Sequence, residues 1–209
     1  MAGGIMPLLL AVSAMNPPTT HLLYLHGFRS SPNSSKSVQV ARRMQAQHPG
    51  VVWWCPQLPP SPRQDLGDVM QGIAGWPREG MGVIGSSLGG FYATCVAEAT
   101  GCRAVVLNPS VNPARDLAAS IGEQASWHDP DDRFFFEPRF IEELRAMTPA
   151  ALTRPERYFA VIAQGDEVLD WREMSTLYQN AQIKRLNGGD HALSDFQNHI
   201  DEVLGFLGL

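Results

Sequence analysis

Cysteine is scarce in this chain, and basic charge is not in excess. Cys55, Cys95 and Cys102 are the three cysteines among 209 residues. An odd number without CxxC spacing excludes a disulfide framework and a thiol-rich metal site. Each lies in or beside an apolar segment, as reduced core thiols do, so the expected setting is reducing and cytoplasmic. Lysine and arginine number 16 against 21 acidic residues, for a formal net charge of −5. No basic stripe is left to neutralise phosphates, which argues against a nucleic-acid partner. No apolar run reaches the ~20 residues needed to span a bilayer, so no membrane span is expected. GxGxxG and Walker patterns are missing, as is any paired histidine and carboxylate spacing. Neither a cofactor nor a metal is therefore expected.

The apolar stretch Ile5-Met6-Pro7-Leu8-Leu9-Leu10-Ala11-Val12 is followed by Ser13-Ala14, small residues that suit a signal peptidase. No lysine or arginine precedes it and a proline interrupts it, which argues against secretion. Residues 1–20 are read as a flexible extension, with Met15 as an alternative start. At 44% hydrophobic residues, the remainder can bury a sizeable core, and residues 21–209 are expected to form one domain.

Six short runs rich in apolar or β-branched residues recur: His21–Leu25, Val51–Cys55, Met81–Gly85, Ala104–Leu107, Tyr158–Ala163 and Ala181–Leu186. Several are apolar almost throughout, as strands buried on both faces should be. Helical patterns lie between most of them. From Arg63 to Gly75, Leu66, Val69, Met70, Ile73 and Ala74 fall on one helical face, behind the capping box Ser61-Pro62-Arg63-Gln64. Similar capping logic starts helices at Asp170-Trp171-Arg172-Glu173 and at Ser194-Asp195-Phe196-Gln197. Alternating strands and helices imply a mostly parallel sheet of about six strands with helices on both faces, a doubly wound α/β fold. Pro109 to Arg157 is too long for a simple crossover. It contains Phe134-Phe135-Phe136 and a helical pattern around Phe140–Met147, and is read as a small excursion or lid after the fourth strand.

In such a sheet, function collects at the carboxyl ends of the strands. Gly85-Ser86-Ser87-Leu88-Gly89 follows the third strand, matches GxSxG and opens onto a helix beginning at Leu88, the context of a nucleophile elbow. His26-Gly27-Phe28 follows the first strand, Gly165-Asp166 the fifth and Gly188-Gly189-Asp190-His191 the sixth. The resulting order Ser, Asp, His is that of α/β-hydrolases. In the chemistry this implies, His191 takes the Ser87 proton, Ser87 attacks an acyl carbonyl, and Asp166 orients the imidazole. Backbone N–H groups of Phe28 and Leu88 are the expected oxyanion donors, with Gly27 making room and His26 bracing the loop.

Other residues are less suited. Asp190 adjoins His191, and adjacent loop residues usually point apart. Glu167 is available, whereas Asp170 and Asp195 are explained by helix starts. His21, His48, His128 and His199 show no partner spacing and are read as structural or solvated. The three phenylalanines are read first as packing of the excursion and second as walls of an acyl pocket. Arg29 is read as a solvated loop residue, with an anionic leaving group as the alternative partner.

The segments Tyr24-Leu25-His26-Gly27-Phe28-Arg29-Ser30-Ser31-Pro32, Gly85–Tyr92, Leu107-Asn108-Pro109, Gln164–Leu169 and Gly188–His191 together resemble the small YqiA-like esterases of bacteria. The resemblance runs from about Leu22 to the C-terminus. It implies a compact α/β-hydrolase acting on acyl esters, including acyl-CoA thioesters, with Ser87, Asp166 and His191 at their own positions. The expected function is a serine esterase or thioesterase working through an acyl-enzyme on a small-molecule substrate. The alternatives are a hydrolase-fold binding protein without turnover, and hydrolases of another kind that cleave peptides or carbon–carbon bonds or transfer acyl groups to alcohols. Oligomeric state and acyl length are left open.

Overall fold

A computed structural model describes residues 17–127, 129 and 131–209 of the chain. Most of the N-terminal extension and His128 lie outside these residues. Pro17 to Thr20 are held against the fold: the Arg103 guanidinium donates to Pro17 O and Thr19 Oγ1, and Thr20 N–H donates to Gly80 O.

Six strands form one sheet, in the spatial order β2-β1-β3-β4-β7-β8 and all parallel. They are β1 (His21–Leu25), β2 (Val52–Trp54), β3 (Met81–Ser86), β4 (Arg103–Leu107), β7 (Tyr158–Ala163) and β8 (Gln182–Leu186). Each coincides with one of the six apolar runs. β3 and β7, apolar at nearly every position, are buried along their whole length in the interior of the sheet, where side chains on both faces leave water.

Period-two alternation sends neighbouring strand residues to opposite cores. Leu23, Leu25 and Val83 join one cluster, beneath α2 (Pro62–Gly72), α3 (Leu88–Thr100), α5 (Pro138–Met147) and α6 (Trp171–Leu177). Leu22, Tyr24 and Ile84 join the other, covered by Val40 and Met44 of α1 (Ser35–Gln47) and by Ile200, Val203, Leu204 and Leu207 of α7 (Ile200–Leu207). Helices therefore cover both faces. The caps of α2 and α6 form as the sequence implies, with Ser61 Oγ accepting from Gln64 N–H and the Asp170 carboxylate from Arg172 N–H. The last helix differs. Phe196–Asn198 form a 3₁₀ turn and α7 begins only at Ile200, because Ser194 is held by Asp190, to which its N–H and Oγ–H both donate.

Residues 109–157 contain α4 (Pro113–Asp116), α5 and an antiparallel hairpin of β5 (Gly122–Ala125) and β6 (Arg133–Phe136). Phe136 is buried against Phe140, whereas Phe135 is 57% exposed. The helix read around Phe140–Met147 is α5, whereas the β5–β6 hairpin was not read from sequence. The winding direction reverses between β1 and β3, since β2 lies to one side of β1 and β3 and β4 to the other. A crevice at the carboxyl ends of these two strands is the general ligand position in open α/β sheets.

Crossing of α3 over the sheet depends on close backbone approach. A Cβ on Gly89 would stand 2.0 Å from Leu25 O, and one on Gly85 2.1 Å from Gly89 O. Gly89→Ala is therefore expected to lose about 3 kcal/mol in urea unfolding through forced displacement of α3. Gly67→Ala, on α2 where a Cβ meets nothing within 4 Å, should instead be neutral or stabilise by up to about 1 kcal/mol. Equal effects from the two would contradict this packing.

Candidate active site

Ser87 joins β3 to α3 with φ 56° and ψ −121°, a conformation that costs a non-glycine residue on the order of 1–3 kcal/mol unless its surroundings enforce it. Ser87 N–H donates to Leu107 O at 3.0 Å, and Ser87 O accepts from Gly90 N–H at 2.9 Å and Ser110 N–H at 3.1 Å. Glycines at 85, 89 and 90 leave no space for side chains on the inner side of this turn; a Cβ at Gly90 would lie 2.7 Å from Pro109 Cβ. The serine side chain is thereby presented at the end of the sheet.

The loop after β8 brings His191 across from the opposite side. Its Nε2 lies 3.0 Å from Ser87 Oγ, and its Nδ1 lies 2.8 Å from Asp166 Oδ2. Asp166 follows β7, and its carboxylate has no solvent exposure. Its second oxygen accepts from Val168 N–H and Leu169 N–H, both at 2.8 Å. With a carboxylate on Nδ1, the imidazole carries its proton there and turns the lone pair of Nε2 to the serine hydroxyl. The three residues named from sequence thus form one hydrogen-bonded chain.

Gly27 places the loop after β1 against the serine: a Cβ there would lie 3.2 Å from Ser87 Cβ and 3.7 Å from Ser87 Oγ. Leu88 is the first residue of α3, so its N–H has no acceptor within the helix. Among the described residues, no hydrogen bond outside the helices and strands uses the Phe28 N–H. Buried His26 holds this loop, with Nδ1 3.0 Å from Gly27 O and Nε2 accepting from Leu58 N–H at 3.2 Å. Arg29 is not a freely solvated residue. Its Nε–H donates to Ala125 O at 2.6 Å, its guanidinium stacks 4.2 Å from the Trp127 ring, and its O accepts from Trp127 N–H. It ties the loop to the β5–β6 hairpin.

Two residues named from sequence anchor the histidine loop, a role the sequence did not give them. Asn108, fully buried with φ 40°, donates from Nδ2 to Asp190 O and His191 O and accepts on Oδ1 from Ala163 N–H. One side chain therefore links the ends of β4, β7 and the loop after β8. Its position directly after a strand was the same signal that located Ser87 and Asp166. Glu167 accepts from His191 N–H at 3.0 Å, a contact that neighbouring sequence positions do not reveal. Asp190 points away to Ser194, and Asp195 meets His199 at 3.1 Å within the C-terminal segment.

Two cavities meet at His26, Gly27, Phe28 and Ser30. One, of about 220 Å³, is lined by Ser87, His191, Lys36 and Trp127. The other, of about 230 Å³, is walled by Phe28, Leu58, Leu88, Phe134 and Phe136, with Asp65 and Tyr92 also on its lining. Phe28 meets Phe134 and Phe136 edge-on, with centroids 5.9 and 5.1 Å apart. Phe134 and Phe136 thus pack the hairpin and line a cavity at once. Asp65 is 3% exposed. Burial pushes its carboxyl up to about 8, against the lowering effect of a hydrogen bond from the Tyr92 hydroxyl, and the Asp68 charge adds to the rise.

Among the described residues, no group of three or more histidine, cysteine, aspartate or glutamate side chains could hold a metal ion. No helix among them is long and apolar enough to cross a membrane.

A parallel sheet with a sharply turned serine at its switch point, facing a histidine and a buried carboxylate, defines an α/β-hydrolase fold. Solved structures agree on that fold. Alpha/beta hydrolase domain-containing protein 10 from mouse aligns over 90% of this chain and 91% of its own, with TM-score 0.67 and 17% identity. The esterase domain of a Rhodothermus marinus protein aligns over 92% and 87%, with TM-score 0.65 and 21% identity. The esterase Pf2001 of Pyrococcus furiosus aligns over 92% and 81%, with TM-score 0.60 and 15% identity. Residues 21–208 match the family described as "Uncharacterised protein family (UPF0227)", and the chain belongs to that family. This is the family to which the YqiA-like resemblance points. UPF0227 proteins of Serratia proteamaculans and Yersinia pseudotuberculosis are 23% and 25% identical to it, each over 90% of this chain and 99% of the relative.

Asp65 gives the cavity a pH signature. Its carboxyl is neutral in the folded chain up to about pH 8 but ionises near pH 4 when unfolded. Unfolding therefore releases a proton, and this group's contribution to stability falls as pH rises from about 4 to about 8. Asp65→Asn removes the titration, so the stability of the variant relative to the wild type should increase between pH 5 and pH 9 in urea unfolding. A difference that stays constant with pH would contradict the buried, neutral carboxyl.

Proposed function

We propose that this protein is a serine hydrolase that cleaves carboxylic esters or thioesters of small to medium acyl groups through an acyl-enzyme. The observation that carries the proposal is the chain Ser87 Oγ–His191 Nε2–His191 Nδ1–Asp166 Oδ2, with separations of 3.0 and 2.8 Å. In this reading His191 accepts the Ser87 proton as Oγ attacks the acyl carbonyl, and Asp166 stabilises the imidazolium. The oxyanion is met by the N–H groups of Phe28 and Leu88, donors fixed before the charge develops. The tetrahedral intermediate collapses when His191 protonates the leaving oxygen or sulfur. Water then enters, loses a proton to His191 and attacks the acyl-serine, and Ser87 recovers its proton.

This chemistry orients the substrate. His191 must reach the leaving atom, and His191 lines only the first cavity, so the alcohol or thiol portion lies there beside Lys36. The second cavity, on the far side of the Gly27–Phe28 loop and bounded by Leu88, takes the acyl group. About 230 Å³ between aromatic walls suits a modest acyl chain better than a long lipid.

The free thiols of Cys55, Cys95 and Cys102 support action in a reducing, cytoplasmic setting. Cys95 and Cys102 are buried, and burial pushes their thiols up to about 12 and about 11. They are therefore inert packing groups and do not compete as nucleophiles.

Hydrolysis of p-nitrophenyl esters from acetate to palmitate tests the reading. The wild type should turn over the shorter esters best, and Ser87→Ala should lower kcat by a factor on the order of 10⁴–10⁶ at unchanged stability. Activity that survives the substitution, or its absence over the whole series, would overturn it in favour of a binding protein or another nucleophile.

A further inference from the structure

Asp65 lies in the first turns of α2 but does not serve the helix end. Ser61 caps α2, and the Asp65 side chain turns inward to the cavity assigned above to the acyl group. Tyr92 on α3 lines the same wall, 2% exposed, and its hydroxyl acts on the carboxyl with a lowering effect that burial outweighs. The carboxyl oxygen Oδ1 is buried without a partner. Among the described residues Asp65 joins no ion pair, and the charged groups that act on this pair are the acidic Asp68 and Glu143. Arg29 also borders the cavity, but its Nε–H is committed to Ala125 O and its guanidinium to Trp127.

An unpaired buried polar atom costs about 1–3 kcal/mol, whereas an apolar side chain would fill this wall without that cost. Phe28, Leu58, Phe134 and Phe136 give the cavity an aromatic and aliphatic wall, while His26, Arg29, Ser30, Gln57, Ser126 and Asp132 supply polar lining elsewhere. A ligand that satisfies both features has an apolar, flat body and one polar atom at its far end. That polar atom must accept from a neutral carboxyl or donate to an ionised one, and a hydroxyl does both. An ammonium would require Asp65 to ionise against its burial and the Asp68 charge, whereas a hydroxyl pairs with the neutral carboxyl as it stands, and a carboxylate would face Asp65, Asp68 and Glu143.

We propose that Asp65 and Tyr92 form a hydroxyl-recognition site on the wall of the acyl cavity, so that hydroxylated aryl-acyl esters are preferred substrates. The proposal rests on the serine hydrolase reading for its assignment of acyl and leaving groups. A site built to pair a hydroxyl discriminates strongly against the analogue that lacks it, because the protein group is then left unpaired.

The test compares p-nitrophenyl 3-(4-hydroxyphenyl)propanoate with p-nitrophenyl 3-phenylpropanoate, alongside p-nitrophenyl acetate. The wild-type kcat/KM ratio for the first pair should favour the hydroxylated ester by about tenfold or more. In Asp65→Leu the ratio should fall to one or below, and in Tyr92→Phe it should lie between. Binding of the two free acids to Ser87→Ala, followed by calorimetry, gives the same ratio without turnover and without altering the cavity wall. Turnover of all esters with no preference in the wild type would overturn the proposal and leave the esterase reading intact. No turnover of any ester would overturn the esterase reading and the substrate preference with it, and the calorimetric ratio would then decide the hydroxyl-recognition site alone. Equal affinities for the two acids would overturn it.

Discussion

Backbone geometry at Ser87 is the constraint on which the site depends. A serine at φ 56° and ψ −121° does not hold that turn by itself, so the energy that enforces it must come from the neighbours. It comes from the end of β4 through Leu107 O, from the loop after it through Ser110 N–H, and from α3 seated on the carbonyl of Leu25. The glycines at 85, 89 and 90 are the complement of that packing, since any Cβ there would force the helix off the sheet. Exposure of the hydroxyl is therefore a property of the whole central sheet and not of a five-residue pattern.

His191 is controlled from a second direction. Its ring is fixed by Asp166 and its backbone by Glu167 and Asn108. Asn108 also donates to Asp190 O and accepts from Ala163 N–H at the end of β7. A buried side chain with each of its three contacts satisfied acts as a rigid spacer, because rotation would leave several polar groups without partners. The loop after β1 has its own supports, with His26 bonded to Leu58 N–H and Arg29 bound to the hairpin. Serine, histidine and loop thus reach one point from three separately anchored segments.

Much of this was legible in the sequence. Strands buried on both faces are continuous apolar runs, and their carboxyl ends are where polar residues such as Ser87, Asp166 and His191 stand out. What was not legible depends on contacts between distant segments. β5, Gly-Glu-Gln-Ala, carries no β-branched residue and becomes a strand only by pairing with β6. Ser194 reads as a helix cap, but Asp190 claims it and α7 starts six residues later. Arg29 reads as a solvated charge, yet Trp127, far along the chain, takes its planar face. Asp65 resembles an ordinary acid in the first turn of a helix, and only the approach of α3 with Tyr92 shows that it is buried.

The central claim is that Ser87 is activated by its fold, and covalent labelling tests it most directly. A fluorophosphonate reacts with a serine only where a base and oxyanion donors are in place. Peptide mass spectrometry after treatment of the native protein should find one adduct, on Ser87, lost on prior unfolding and strongly reduced in His191→Ala. An adduct on another residue, or no adduct on the native protein, would contradict the account.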